Sequence, residues 1–212
     1  MTALLDIANV LSRADIKSEL LIELDRYRLS LGKMADTPGV DTDRLKHILQ
    51  ELQRTCDGVR GVSGQLAQSL RANEFLNSIV QRSSIAGGSF DFDLPQYHLW
   101  LQMPQSERSL QLDDWRHEIS PVHQAVELLL NLIRNSAVPS REQATGGFYQ
   151  QSLPSGVSAQ LVRISIPADE NLFAEISGGK HRFSIRFMDC ADWQHPTQAD
   201  RQVHFSLSTC VI

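Results

Sequence analysis

Lys180, Arg182 and Arg186 share one parity along the chain, the spacing that places side chains on one face of a β-strand. Phe183, Ile185 and Phe187 hold the other parity, so the cations are expected on the solvent face of a half-buried strand. Neighbouring cations on such a face lie roughly 6.5–7 Å apart and repel unless an anion lies across them. Guanidinium groups on a rigid sheet suit carboxylates and phosphates, which they meet with paired hydrogen bonds. Arg163, on another alternating segment, joins the stripe if its strand is a neighbour. An ordinary solvated face is the plainer alternative. Against it, the stripe has no acid on its own face, and the nearby acids (Asp169, Glu170, Glu175, Asp189, Asp192, Asp200) are expected mainly in loops and at strand ends.

Other chemistry-bearing residues form no catalytic set. The chain has no G-x-S-x-G elbow, phosphate-binding loop, G-x-G-x-x-G or H-E-x-x-H. His117 and His123 flank Glu118, but Pro121 between them breaks a common helical face and argues against a metal site. Asp91 and Asp93 would share a strand face with no evident positive partner; such pairs do acid–base work, yet turn acids are commoner. A hydrolase around Asp91, Asp93 and His98 rests on composition alone. The expectation is a non-enzymatic protein without cofactor or metal. Cys56, Cys190 and Cys210 are too few and scattered for a disulfide framework and read as buried or idle thiols in a reducing compartment.

The elements that position these residues change character along the chain. Ile16, Leu20, Leu24, Tyr27 and Leu31 recur at helical spacing, with Asp15 as the N-cap. Asp41 or Thr42 caps a helix carrying Leu45, Ile48, Leu49 and Leu52, and Gly58, Gly61 and Gly64 break the pattern. Leu66–Leu70 and Phe75–Val80 continue the helical period. A short helix over 112–119 is expected to precede a central one that starts at Ser120–Pro121, with proline at its first position. Beyond residue 140 the period is two, over 161–166, 182–187 and 203–208, which predicts an antiparallel sheet with one wet face. Gly178–Gly179 marks a hairpin turn. The aromatic stretch Ser89–Leu101 also alternates and is read as a strand or hairpin donated to that sheet. The class is then α+β, with a helical domain over 1–86 and 105–138 and an antiparallel β domain over 87–104 and 139–212.

The chain has 212 residues, enough for one large or two small domains, and a formal net charge of -5. That balance argues against a globally basic nucleic-acid binder. No run reaches the length of a membrane span, and the start lacks a signal peptide, so a soluble cytoplasmic chain is expected.

Several ordered segments carry a resemblance. They are Glu19–Arg26 (ELLIELDR), Pro38–Asp41 (PGVD), Val80–Phe90 (VQRSSIAGGSF), Asp93–Leu101 (DLPQYHLWL), Leu130–Ala137 (LNLIRNSA), Gly147–Gln150 (GFYQ) and Ile176–Met188 (ISGGKHRFSIRFM). Together they resemble the ZapD family of cell division proteins. The resemblance implies a non-enzymatic homodimer, paired through its helical domain. It implies as well that the protein binds the C-terminal tail of FtsZ and bundles FtsZ filaments at the mid-cell division ring. It also implies that Lys180, Arg182 and Arg186 match the family's basic motif, that His98, Arg71 and Arg82 resemble its surrounding pocket, and that Arg13 stands where the family carries arginine. Family members have a further helical stretch ahead of the position of Met1, so the chain is expected to be short for the family. The rival from another class is a nucleic-acid-binding module using the same stripe; net charge and the lack of aromatic stacking residues beside it count against that reading.

Overall fold

The computed structural model describes residues 1–12, 15–83, 85, 90–154, 156–157, 159–179 and 181–211. The chain divides into two compact units, Met1–Leu129 and Leu130–Ile212. Helices come first: α1 (Thr2–Leu11), α2 (Ile16–Gly32), α3 (Thr42–Gly61), α4 (Gln68–Ala72), α5 (Glu74–Ser83), α6 (Pro95–Gln102) and α7 (Gln105–Asn135). Strands follow, all antiparallel, and the α+β class is as expected. No described helix is long and apolar enough to cross a membrane.

In the helical unit the apolar period sets the buried face. Leu24 and Tyr27 of α2 are enclosed, while Ile16, Leu20 and Leu31 of the same stripe are half-buried. Asp15 holds the N-cap position without a side-chain cap bond; Asp41 caps α3 by accepting from the Arg44 N–H at 3.0 Å. The α3 helix runs through Gly58 to Gly61 rather than breaking at the first glycine. Gly58 faces Pro121, whose Cβ would stand 4.0 Å from a Cβ added there.

Two expectations about helices are corrected. The expected helix start at Ser120–Pro121 is not a start: α7 is continuous, with Pro121 in its interior. A mid-helix proline removes one backbone bond and costs about 3 kcal/mol. Burial of Trp115, Ile119, Val122, Ala125, Leu128 and Leu129 on both sides of it holds the helix together. The second correction is the stretch Ser89–Leu101, whose described residues, 90–101, donate no strand. Its last part is α6, with Pro95 in the first turn. The alternating residues Leu99 and Leu101 face solvent, while Tyr97 and Trp100, three apart, share a face. Their rings join Phe75 and Trp115 in an aromatic cluster with centroids 5.9–6.4 Å apart. The Trp100 indole N–H donates to Gln111 Oε1 at 2.6 Å, and the Arg108 guanidinium lies 5.6 Å over its ring.

The second unit contains β1 (Ser140–Ala144), β2 (Phe148–Ser152), β3 (Ala159–Ser165), β4 (Leu172–Gly178), β5 (Arg182–Asp189), β6 (Thr197–Gln198) and β7 (Val203–Val211). They form two sheets rather than one, ordered β1-β7-β3 and β2-β5-β4, with β6 also pairing β5. Phe183, Ile185 and Phe187 from one sheet meet Val203, Phe205 and Leu207 from the other in a shared core. Val162, Ile164, Tyr149 and Ala174 close it. The Gly146–Gly147 turn joins the sheets. Gly147 sits at φ +65°, and a Cβ there would lie 2.5 Å from the Ala199 carbonyl, so only glycine fits. The three cysteines are free and buried, and Trp193, between β5 and β6, is 84% exposed.

Candidate functional site

The middle strand of the β2-β5-β4 sheet separates its residues as the sequence predicts. Phe183, Ile185 and Phe187 are buried, and Arg182 and Arg186 stand on the exposed outer face. Cross-strand register supplies their surroundings. Phe148 on β2 and Glu175 on β4 flank Arg186; Gln150 and Ser177 flank Ser184; Ser152 stands beside Arg182. On the other side of Arg182 is Gly179, whose N–H donates to the Arg182 carbonyl at 2.8 Å. Phe173 and Met188 extend the same face. The face thus combines two guanidinium groups, hydroxyl and amide side chains, and exposed apolar surface.

Two features of this face depart from expectation. Glu175 lies within β4, directly across from Arg186, so the stripe is not free of acids on its sheet face. Phe148, beside Arg186, is an aromatic residue that the sequence did not place there. Among the described residues neither Arg182 nor Arg186 forms an ion pair. Both are therefore available to an external anion.

Arg163 does not join them. Its strand, β3, pairs with β7 in the other sheet, opposite Ser208. Val162 and Ile164 fill the shared core, so Arg163 leaves the opposite side of the sandwich, and its guanidinium donates to the Arg134 carbonyl at 3.5 Å. Lys180 and Arg13 lie outside the described residues.

The remaining expected residues belong to the helical unit. Arg71 on α4 donates to Gln65 Oε1 at 2.6 Å, and its Nε is buried without a hydrogen-bond partner among the described residues. Arg82 and His98 are brought to one turn. Arg82 lies 3.7 Å from Asp93, and His98 Nδ1 lies 2.9 Å from Asp91. The two acids read as a candidate acid–base pair thus each have a partner, Asp93 in Arg82 and Asp91 in His98. Between them the turn presents Phe90 and Phe92, stacked with centroids 5.6 Å apart and 59% and 80% exposed. The sequence signal for that stack was the Phe-Asp-Phe-Asp run, obscured by its strand-like alternation.

Glu118 accepts from the Ser69 hydroxyl, and burial raises its carboxyl above the ordinary glutamate range. His123 lies 3.7 Å from Glu127. Among the described residues no three His, Cys, Asp or Glu side chains converge as metal ligands. An open groove of about 770 Å³ runs between α1 and α7, lined by Leu4, Ile7, Leu112 and Ile119, with Arg116 and His117 at its polar side.

A family model described as the cell division protein ZapD matches residues 1–186, from α1 into β5 and through both arginines of the exposed face. The chain belongs to the ZapD family. One relative, the cell division protein ZapD of Methylococcus capsulatus (strain ATCC 33009 / NCIMB 11132 / Bath), is 38% identical over 207 residues. That alignment covers 98% of this chain and 81% of the relative. The ZapD protein of Azoarcus sp. (strain BH72) is 34% identical over 212 residues, covering 100% of this chain and 84% of its own length. Membership of the ZapD family supports a role in cell division.

Proposed function

We propose that this chain is a non-enzymatic division factor that captures the C-terminal tail of FtsZ on the outer face of the β2-β5-β4 sheet. As a homodimer it cross-links FtsZ filaments at the mid-cell division ring in the cytoplasm. The observation that carries the reading is the pair Arg182 and Arg186, exposed on one strand and without ion-pair partners among the described residues, in a chain of the ZapD family. Such a face takes an acidic peptide through charge-assisted hydrogen bonds. Phe148, Phe173 and Met188 beside the arginines offer surface for the peptide's apolar residues. Lys180 extends the stripe by parity. Arg71, Arg82, His98 and Arg13 are assigned a secondary part from family resemblance, and for Arg82 and His98 that means exchanging Asp93 and Asp91 for an external acid.

The helical unit, α6 included, is the proposed dimerisation domain. Two tail sites on one dimer act together, and filaments that present many tails raise avidity by roughly 10²–10⁴ over a single weak contact. The deciding experiment is the double variant Arg182→Glu with Arg186→Glu. It is expected to fold normally and to lose co-sedimentation with FtsZ polymers; unchanged bundling by that variant sinks the site. Phe148 beside Arg186 would equally suit a stacked nucleobase. A filter-binding assay with single-stranded RNA separates that reading, and retention of RNA at physiological salt would favour it.

A further inference from the structure

The phase of the β4–β5 ladder is fixed by the Gly179 N–H bond to the Arg182 carbonyl. With the observed register, Phe173, Glu175 and Ser177 then exchange backbone bonds with β5. Ala174, Ile176 and Gly178 point their N–H and C=O groups the other way, along the outer edge of the sheet. No described strand pairs with that edge. Residues Glu175 to Gly178 are all exposed, and Ile176, although its parity is that of the core, is 48% exposed.

We infer that an acidic–apolar peptide is held as an added β-strand on the β4 edge, with one of its carboxylates reaching Arg182 across Gly179. This rests on the proposed tail-binding reading and specifies how the peptide is held. Strand addition satisfies backbone groups that exposed edges otherwise leave to water, and alternate side chains give specificity. Charge complementarity selects the occupant and its register. An added strand lies two strand spacings from β5, about 9.5 Å. Over Arg186 the path is occupied by the Glu175 side chain, which repels an incoming acid. Over Arg182 the intervening residue is Gly179, which has no side chain of its own to stand between arginine and carboxylate. On the other face of the added strand, an apolar residue covers Ile176. The β2 edge is a poorer candidate: its residues Gln150, Gln151 and Ser152 offer no exposed apolar side chain, and Phe148 screens Arg186.

Proline at position 176 tests the geometry. The Ile176 N–H faces outward, so Ile176→Pro removes no ladder bond but blocks an added strand. The full chain is titrated with a synthetic FtsZ tail peptide by fluorescence anisotropy, with Ile176→Ala as the side-chain control. Ile176→Pro is expected to weaken binding by about tenfold or more, and Ile176→Ala by less. In amide hydrogen exchange of the unaltered chain, added peptide is expected to slow Ala174, Ile176 and Gly178 selectively. That readout stands even if the proline variant misfolds. Equal affinity of the folded proline variant, or no slowing at those three amides in a chain that binds the peptide, overturns the edge while leaving the arginine face in place. Failure of the unaltered chain to bind the peptide overturns both.

Discussion

Glu175 is the residue on which the strength of the arginine face turns. It stands across from Arg186 yet forms no ion pair with it, so it contributes mainly a repulsive field toward acidic ligands. Glu175→Gln is expected to tighten binding of an acidic tail peptide about two- to fivefold, the range of exposed charge pairs, as read by anisotropy at low salt. Glu118 provides a pH dependence of opposite origin. Its carboxyl is raised by partial desolvation on a largely exposed side chain, so folding modestly favours the protonated form. The stabilising contribution is full below the unfolded glutamate value and is lost as pH rises through the higher folded value. Glu118→Gln is therefore expected to flatten the decline in the chain's thermal midpoint between acidic and neutral pH. The sequence made Arg182 and Arg186 legible because parity is local. It could not reveal Glu175 as their neighbour, because register between strands depends on turns and packing far from either residue.

At the scale of elements, two glycines make opposite predictions. Gly58 lies inside α3 with only ordinary contact distance to Pro121, so an added methyl fits. Gly58→Ala is expected to stabilise the chain by about 0.5–1 kcal/mol in urea denaturation, from backbone entropy alone. Gly147 combines a left-handed backbone with the Ala199 carbonyl at its back. Gly147→Ala is expected to lower the thermal midpoint by several degrees, about 1–3 kcal/mol, and to loosen the turn that links the sheets. Strands β3, β5 and β7 were legible because each alternates cleanly against a core. Their division into two sheets was not, since alternation says which face is buried but not which strand is next. That gap misplaced Arg163. In α6 the sequence offered both periods at once: Tyr97, Leu99 and Leu101 at two, Tyr97 and Trp100 at three. The tryptophans and Phe75 decided the outcome through burial, which no local pattern contains.

For the whole molecule, a net charge of -5 coexists with a cationic sheet face, so binding of an acidic partner is governed by local field rather than total charge. Exposed arginines are screened over a Debye length of about 8 Å at physiological salt. Tail binding is expected to weaken steadily as salt rises above that point, measured by anisotropy. The proposed bundling also requires the proposed dimer. Light scattering of the full chain across a dilution series is expected to show bundling of FtsZ polymers disappearing where the dimer dissociates, while single-tail binding persists. Two of the three tryptophans, Trp100 and Trp115, are buried in the aromatic cluster, whereas Trp193 is already in water. Intrinsic emission consequently watches only residues 1–129 come apart: the cluster's indoles move to longer wavelength on exposure, and Trp193 contributes an almost constant background. Circular dichroism in the far ultraviolet follows helices and strands alike. One melt recorded both ways would reveal whether the helices and the sandwich unfold as a single cooperative body or as two, without a probe being attached.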